Sequence, residues 1–169
     1  MKPLSAKKTN CRWLLLAAAL LLAATVLPAQ AKPEMRPAIY DPGADVKADI
    51  VAAVKRAGAE NRNILLVFGG NWCPWCHLLH GLFSSDPQVG KVLAERYVVV
   101  MVDVGEKPNQ PLNRDLVDLY RVKDFGYPAL AVLDKGGKLV CAQSTGVLEK
   151  GKGHDPVKVL AFLRTQLGD

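Results

Sequence analysis

The sequence predicts an α/β fold with a mixed central sheet and helices on both of its faces. The apolar, β-branched runs Ile64–Phe68 and Tyr97–Val102 are separated by segments whose apolar residues recur at helical spacing. Further on, Ala129–Leu133 and Lys138–Ala142 flank the turn Asp134-Lys135-Gly136-Gly137, the pattern of a β-hairpin. Strands separated by helices imply parallel pairing, and a terminal hairpin implies an antiparallel edge.

Taken in order, residues 32–43 hold several prolines and little pattern, and read as a flexible lead-in. From Asp45 to Ala57, Val46, Ile50, Val54 and Ala57 fall on one helical face, which Gly58 can end. The strand Ile64–Phe68 runs through the turn Gly69-Gly70-Asn71-Trp72 into a helix carrying Leu78, Leu79 and Leu82. Asp86-Pro87 supplies a cap and a first-turn proline for a short helix through Val89, Val92 and Leu93, and Tyr97–Val102 follows as a buried strand. Gly105–Pro111 is a polar loop. Leu112, Leu116 and Leu119 or Tyr120 line the next helix, the hairpin follows, and Asp155-Pro156 opens a last helix through Val159, Leu160, Leu163 and Leu167. The expected order is α-β-α-α-β-α-β-β-α.

Residues 1–31 read as a signal peptide. Lys2, Lys7, Lys8 and Arg12 precede the apolar run Trp13–Leu27, and Ala29-Gln30-Ala31 is a small-x-small cleavage pattern, with the cut expected after Ala31. The alternative is a retained N-terminal anchor. Removal leaves 138 residues (169 less 31), enough for one domain, expected over residues 44–169. It also takes four of the 22 basic residues and none of the 16 acidic ones, so the net charge falls from +6 to +2. That balance gives no electrostatic case for nucleic acid. Cys73, Cys76 and Cys141 remain, too few for a disulfide framework and better matched to one working pair and a spare thiol.

Cys73-Pro74-Trp75-Cys76 stands where a strand hands over to a helix. A cysteine at a helix start has unpaired backbone N–H groups and the positive end of the helix dipole beside it, which favour its thiolate. The expected chemistry is thiol–disulfide exchange.

The stretch Phe68-Gly69-Gly70-Asn71-Trp72-Cys73-Pro74-Trp75-Cys76-His77, with Tyr127-Pro128 ahead of the hairpin, resembles the thioredoxin superfamily, and its exported bacterial members in particular. The resemblance covers roughly residues 44–167 and implies a thioredoxin fold. By position it makes Cys73 the attacking nucleophile, Cys76 the resolving thiol, the two together a redox-active disulfide, and Pro128 the cis-proline. Trp72, Trp75, Tyr127 and Pro128 become the expected substrate-binding residues. It implies no cofactor and no metal, protein thiols or disulfides as substrates, a membrane or exported redox partner, a monomer, and a periplasmic location. One departure stands out: where thioredoxins place a buried carboxylate in the strand before the motif, this chain has Val67. The proton acceptor for the resolving thiol is therefore not identified by the resemblance. The inter-cysteine pair is also Pro-Trp where thioredoxin has Gly-Pro.

Other readings of the same residues remain open. Cys73, Cys76 and His77 satisfy the C-x-x-C-H signature of c-type haem attachment. Cys73, Cys76, His77 and His80 could supply sulfur and imidazole to Zn or Cu(I), although His77 projects about 100° further round the helix than Cys76. A non-enzymatic binding module would need neither cysteine. Cys141 reads as a buried, inert thiol, and Trp75 as an exposed ring at the helix start.

Overall fold

The computed structural model describes residues 36–106 and 111–166. The signal peptide with its cut after Ala31, residues 32–35 of the lead-in, most of the Gly105–Pro111 loop and Leu167 lie outside the described residues. Helix α1 (Val46–Glu60) leads into strand β1 (Asn63–Gly69), α2 (Pro74–Ser85), α3 (Pro87–Arg96) and β2 (Tyr97–Asp103). Then come α4 (Arg114–Leu119), β3 (Ala129–Leu133), β4 (Leu139–Ser144), a 3₁₀ turn (Thr145–Leu148), two-residue strands β5 (Glu149–Lys150) and β6 (Gly153–His154), and α5 (Pro156–Thr165). The nine expected elements are present in the expected order. The 3₁₀ turn and the β5–β6 hairpin were not foreseen, because two-residue strands have no periodicity to read.

The helix starts follow from side-chain capping. Asp45 accepts from Ala48 N–H, Asp86 from Gln88 and Val89 N–H, and Asp155 from Val157 N–H, each satisfying a donor that the first turn leaves open. Pro87 and Pro156 occupy first-turn positions, where the missing N–H costs nothing. The expected end of α1 at Gly58 is corrected. The helix continues to Glu60 and stops at Asn61, whose left-handed backbone (φ 52°) supplies the cap geometry.

The main sheet has the order β2-β1-β3-β4. β1 and β2 are parallel, from Asn63 opposite Tyr97 to Gly69 opposite Asp103, while β3 runs antiparallel to both β1 and β4. Parallel pairing of every helix-separated strand is thus also corrected, and element length explains why. α2 and α3 together can carry the chain back along the full sheet. Six-residue α4 rises only about 9 Å, against roughly 23 Å for a seven-residue strand. The chain therefore re-enters beside Phe68, at the end where β2 left.

Helices cover both faces. Ile64, Leu66, Phe68, Val98, Val100 and Val102 pack with α1 and α4, and Leu65, Val67, Leu130 and Val132 pack with α2, α3 and α5. β1 is buried on both sides and reads accordingly as an unbroken apolar run. One end of the sheet collects the last residues of β1 and β2, the start of β3 and the first turn of α2. Among the described residues no helix is long and apolar enough to cross a membrane.

Candidate active site

Cys73 and Cys76 form a disulfide at the first turn of α2, with Cα atoms 5.2 Å apart. Cys73 is the N-cap residue, in extended backbone, and its Sγ accepts the Cys76 N–H at 3.1 Å. Pro74 takes the first helical position. The cap sulfur therefore shares the Cys76 N–H with the Cys73 carbonyl oxygen, at the positive end of the helix, an arrangement that stabilises negative charge on sulfur. Both cysteines are nearly buried, at 3% and 1% exposure.

The rim around Cys73 comes from two loops. The Tyr127–Pro128 peptide bond is cis, as the resemblance implied, and the Tyr127 carbonyl oxygen lies 3.5 Å from Cys73 Sγ. Trp72 is half exposed, donates its indole N–H to the Gly105 carbonyl at 2.7 Å, and meets Tyr127 edge-on with ring centroids 6.2 Å apart. Pro128 is buried, and its carbonyl accepts from the Thr145 hydroxyl. Trp75 departs from the expected exposed ring. It is partly buried and packs edge-on against His154 of β6, at 5.5 Å between centroids. The unforeseen β5–β6 hairpin is what covers it.

The side facing Cys76 holds residues that sequence reasoning missed. Ile39 and Tyr40 fall in the segment expected to be a flexible lead-in, yet Asn71 pins them. Its Oδ1 accepts from Ile39 N–H at 2.8 Å and Tyr40 N–H at 3.0 Å, and its Nδ2 donates to the Tyr40 carbonyl at 2.9 Å. Tyr40, 3% exposed, forms a small buried cluster with Cys73 and Cys76. Burial pushes its hydroxyl pKa well above the ordinary tyrosine value, and the Asp103 carboxylate adds to the shift. Asp103 is itself buried at the end of β2 and accepts the Gly105 N–H at 2.7 Å. Val67 is buried in apolar surroundings, so β1 offers Cys76 no ionisable group. The available signal was modest: a lone Ile-Tyr pair between prolines, and an asparagine in the glycine turn.

The remaining candidates are less closely drawn in. The His77 ring nitrogen Nε2 lies 2.9 Å from the Asn71 carbonyl, and His80 is half-buried further along α2. The two sulfurs that haem attachment would use are bonded to one another. Among the described residues no group of three or more His, Cys, Asp or Glu side chains is placed to hold a metal ion. Cys141 is a free, half-buried thiol whose pKa burial raises, which favours the neutral form.

Comparison with known proteins places this geometry in a family context. A family model for the thioredoxin-like domain matches residues 50–152. The crystal structure of a disulphide isomerase from Xylella fastidiosa Temecula1 is similar with a TM-score of 0.65 and 26% identity, over 75% of this chain and 95% of that one. A structure of DsbH oxidoreductase shares the fold, with a TM-score of 0.52 and 22% identity over 70% of this chain and 81% of that one. Spermatogenesis-associated protein 20 of Mus musculus is 35% identical over 57 residues, which are 34% of this chain and 7% of that protein.

Proposed function

The chain belongs to the thioredoxin-like family, and from that premise we propose that it is an exported thiol–disulfide oxidoreductase in which Cys73 attacks and Cys76 resolves. One observation carries the assignment of roles. Cys73 is the N-cap of α2, with its sulfur on a backbone N–H and beside the Tyr127 carbonyl, whereas Cys76 lies a turn inside the helix and is the more buried of the two. Export rests on the basic leader, the apolar run and the Ala29-Gln30-Ala31 site within residues 1–31.

In the reduced protein the Cys73 thiolate attacks one sulfur of a substrate disulfide. A Cys73–substrate disulfide forms, and the other substrate sulfur leaves with the electron pair. Cys76 then loses its proton to solvent and attacks Cys73 Sγ. The substrate sulfur departs as a thiolate, and the enzyme is left with the Cys73–Cys76 disulfide. Run in reverse, the same steps oxidise a substrate dithiol. An extended protein segment fits at Tyr127 and Pro128, with Trp72 as an apolar contact beside the cap sulfur and Trp75 behind it.

Replacing single cysteines separates the roles. Cys73→Ser should abolish insulin disulfide reduction, and Cys76→Ser should accumulate mixed disulfides that dithiothreitol releases. Trapping by Cys73→Ser and none by Cys76→Ser would reverse the assignment. For export, residues 1–31 fused to a reporter should direct it out of the cytoplasm; a reporter retained inside would remove that part of the proposal.

A further inference from the structure

We propose that the Tyr40 hydroxyl is the hydrogen-bond donor that stabilises the Cys76 sulfur when the Cys73–Cys76 disulfide opens. Three observations carry this, and it rests on the assignment of Cys76 as the resolving cysteine. First, a Cβ built on Gly69 would lie 2.5 Å from Cys76 Sγ and 2.5 Å from the Tyr40 hydroxyl oxygen, so these atoms are at most twice that distance apart. Gly69 is the gap between them. Second, the hydroxyl is buried and, among the described residues, has no hydrogen-bond partner in this oxidised state. An unpaired buried hydroxyl is costly and calls for an acceptor in some other state of the protein. Third, Asn71 holds Tyr40 in place by accepting its N–H and donating to its carbonyl, and also accepts the neighbouring Ile39 N–H, on a segment that otherwise lies outside the regular elements.

Among the described residues, the other groups around this sulfur do not fill the role. β1 presents only apolar side chains from Ile64 to Phe68. On α2, the His77 ring meets the Asn71 carbonyl. Ahead of β3, the Tyr127 carbonyl is an acceptor and lies against Cys73. From β6, His154 packs on Trp75. Asp103 on β2 is an acceptor, and its charge favours Tyr40 keeping its proton. Tyr40 is therefore a donor across the working pH range, not a base.

The step balances without a further reactant. An incoming thiolate attacks Cys73 Sγ and forms a mixed disulfide. The electron pair of the old sulfur–sulfur bond moves to Cys76 Sγ, which becomes a thiolate in a site that is 1% exposed. Tyr40 donates a hydrogen bond to it and keeps its own proton on oxygen. In the opposite direction the same bond holds the Cys76 thiolate ready to attack.

The test is Tyr40→Phe, which removes one oxygen and leaves the ring. Reduction of the disulfide by dithiothreitol at neutral pH should slow about tenfold, the loss expected for one hydrogen bond to a charged group. In a Cys73→Ser background, the Cys76 ¹³Cβ titration should move up by about one pH unit on adding Tyr40→Phe. The oxidised single variant should melt no lower than wild type, since the lost hydroxyl was unpaired. Placing 3,5-difluorotyrosine at position 40 keeps the shape, makes the hydroxyl a stronger donor, and should move the titration down; it decides the matter if Tyr40→Phe fails to fold. A lower melting temperature with an unmoved titration would assign Tyr40 a packing role only and overturn the proposal. Wild-type protein inert to dithiothreitol would overturn the redox reading itself and this proposal with it. A reactive wild type with unchanged variants overturns this proposal alone.

Discussion

Cys73 and Cys76 are bonded to one another and separated by three positions in the chain, but their surroundings are built differently. The Cys73 side is local. Its cap geometry, its backbone donor and the proline that follows all lie within one turn of sequence, with the Tyr127 carbonyl as the long-range addition. The Cys76 side is assembled from afar: Tyr40 arrives from ahead of α1, its backbone N–H and carbonyl both bonded to the Asn71 side chain, and Asp103 arrives at the end of β2. A helix start can make a thiolate by itself, because its own N–H groups are unsatisfied. A buried thiol a turn inside the helix has no such resource and must borrow a polar partner from another segment.

Breaking the long-range pin should have the largest effect. Asn71→Ala removes three hydrogen bonds at about 1 kcal/mol each, so a stability loss of about 3 kcal/mol is expected in urea unfolding. The variant should also slow disulfide opening as Tyr40→Phe does, while Cys73 keeps its cap. A loss below about 0.5 kcal/mol would mean that Tyr40 is held by packing rather than by Asn71.

A smaller effect concerns the far side of the motif, where Trp75 rests on His154. Among the described residues neither His154 ring nitrogen has a hydrogen-bond partner, and burial lowers its pKa below the ordinary 6.5, with Glu149 opposing the shift. The folded protein therefore binds this proton less readily than the unfolded chain. The stability tied to neutral His154 is full above pH 6.5 and is lost as the pH falls below it toward the depressed folded value. The slope from one proton is at most about 1.4 kcal/mol per pH unit. Unfolding followed by tryptophan fluorescence should show it, and His154→Phe should flatten it; an equal slope in both proteins would place the acid sensitivity elsewhere.

The same contrast explains what could be read before the structure. Elements defined by their own periodicity or caps were legible: the apolar run of β1, the aspartate-proline starts of α3 and α5, and the hairpin of β3 and β4. So was the cap position of Cys73. Features that depend on meeting a distant residue were not. Tyr40 has no local pattern around it, and its partner Asn71 is 31 positions away. The β5–β6 strands are two residues long, and His154 is buried because Trp75 lies over it. The direction of β3 depends on how far α4 can carry the chain, a length that hydrophobic spacing alone does not report.

The central claim is that one sulfur is activated by the helix start while the other is sheltered beneath it. Timed alkylation of the fully reduced protein with iodoacetamide, mapped by peptide mass spectrometry, tests this directly. The account predicts that Cys73 is modified first, with a rate that titrates below the free-thiol value of about 8.5, and that Cys76 follows far more slowly. Equal labelling of the two, or Cys76 ahead of Cys73, would contradict it.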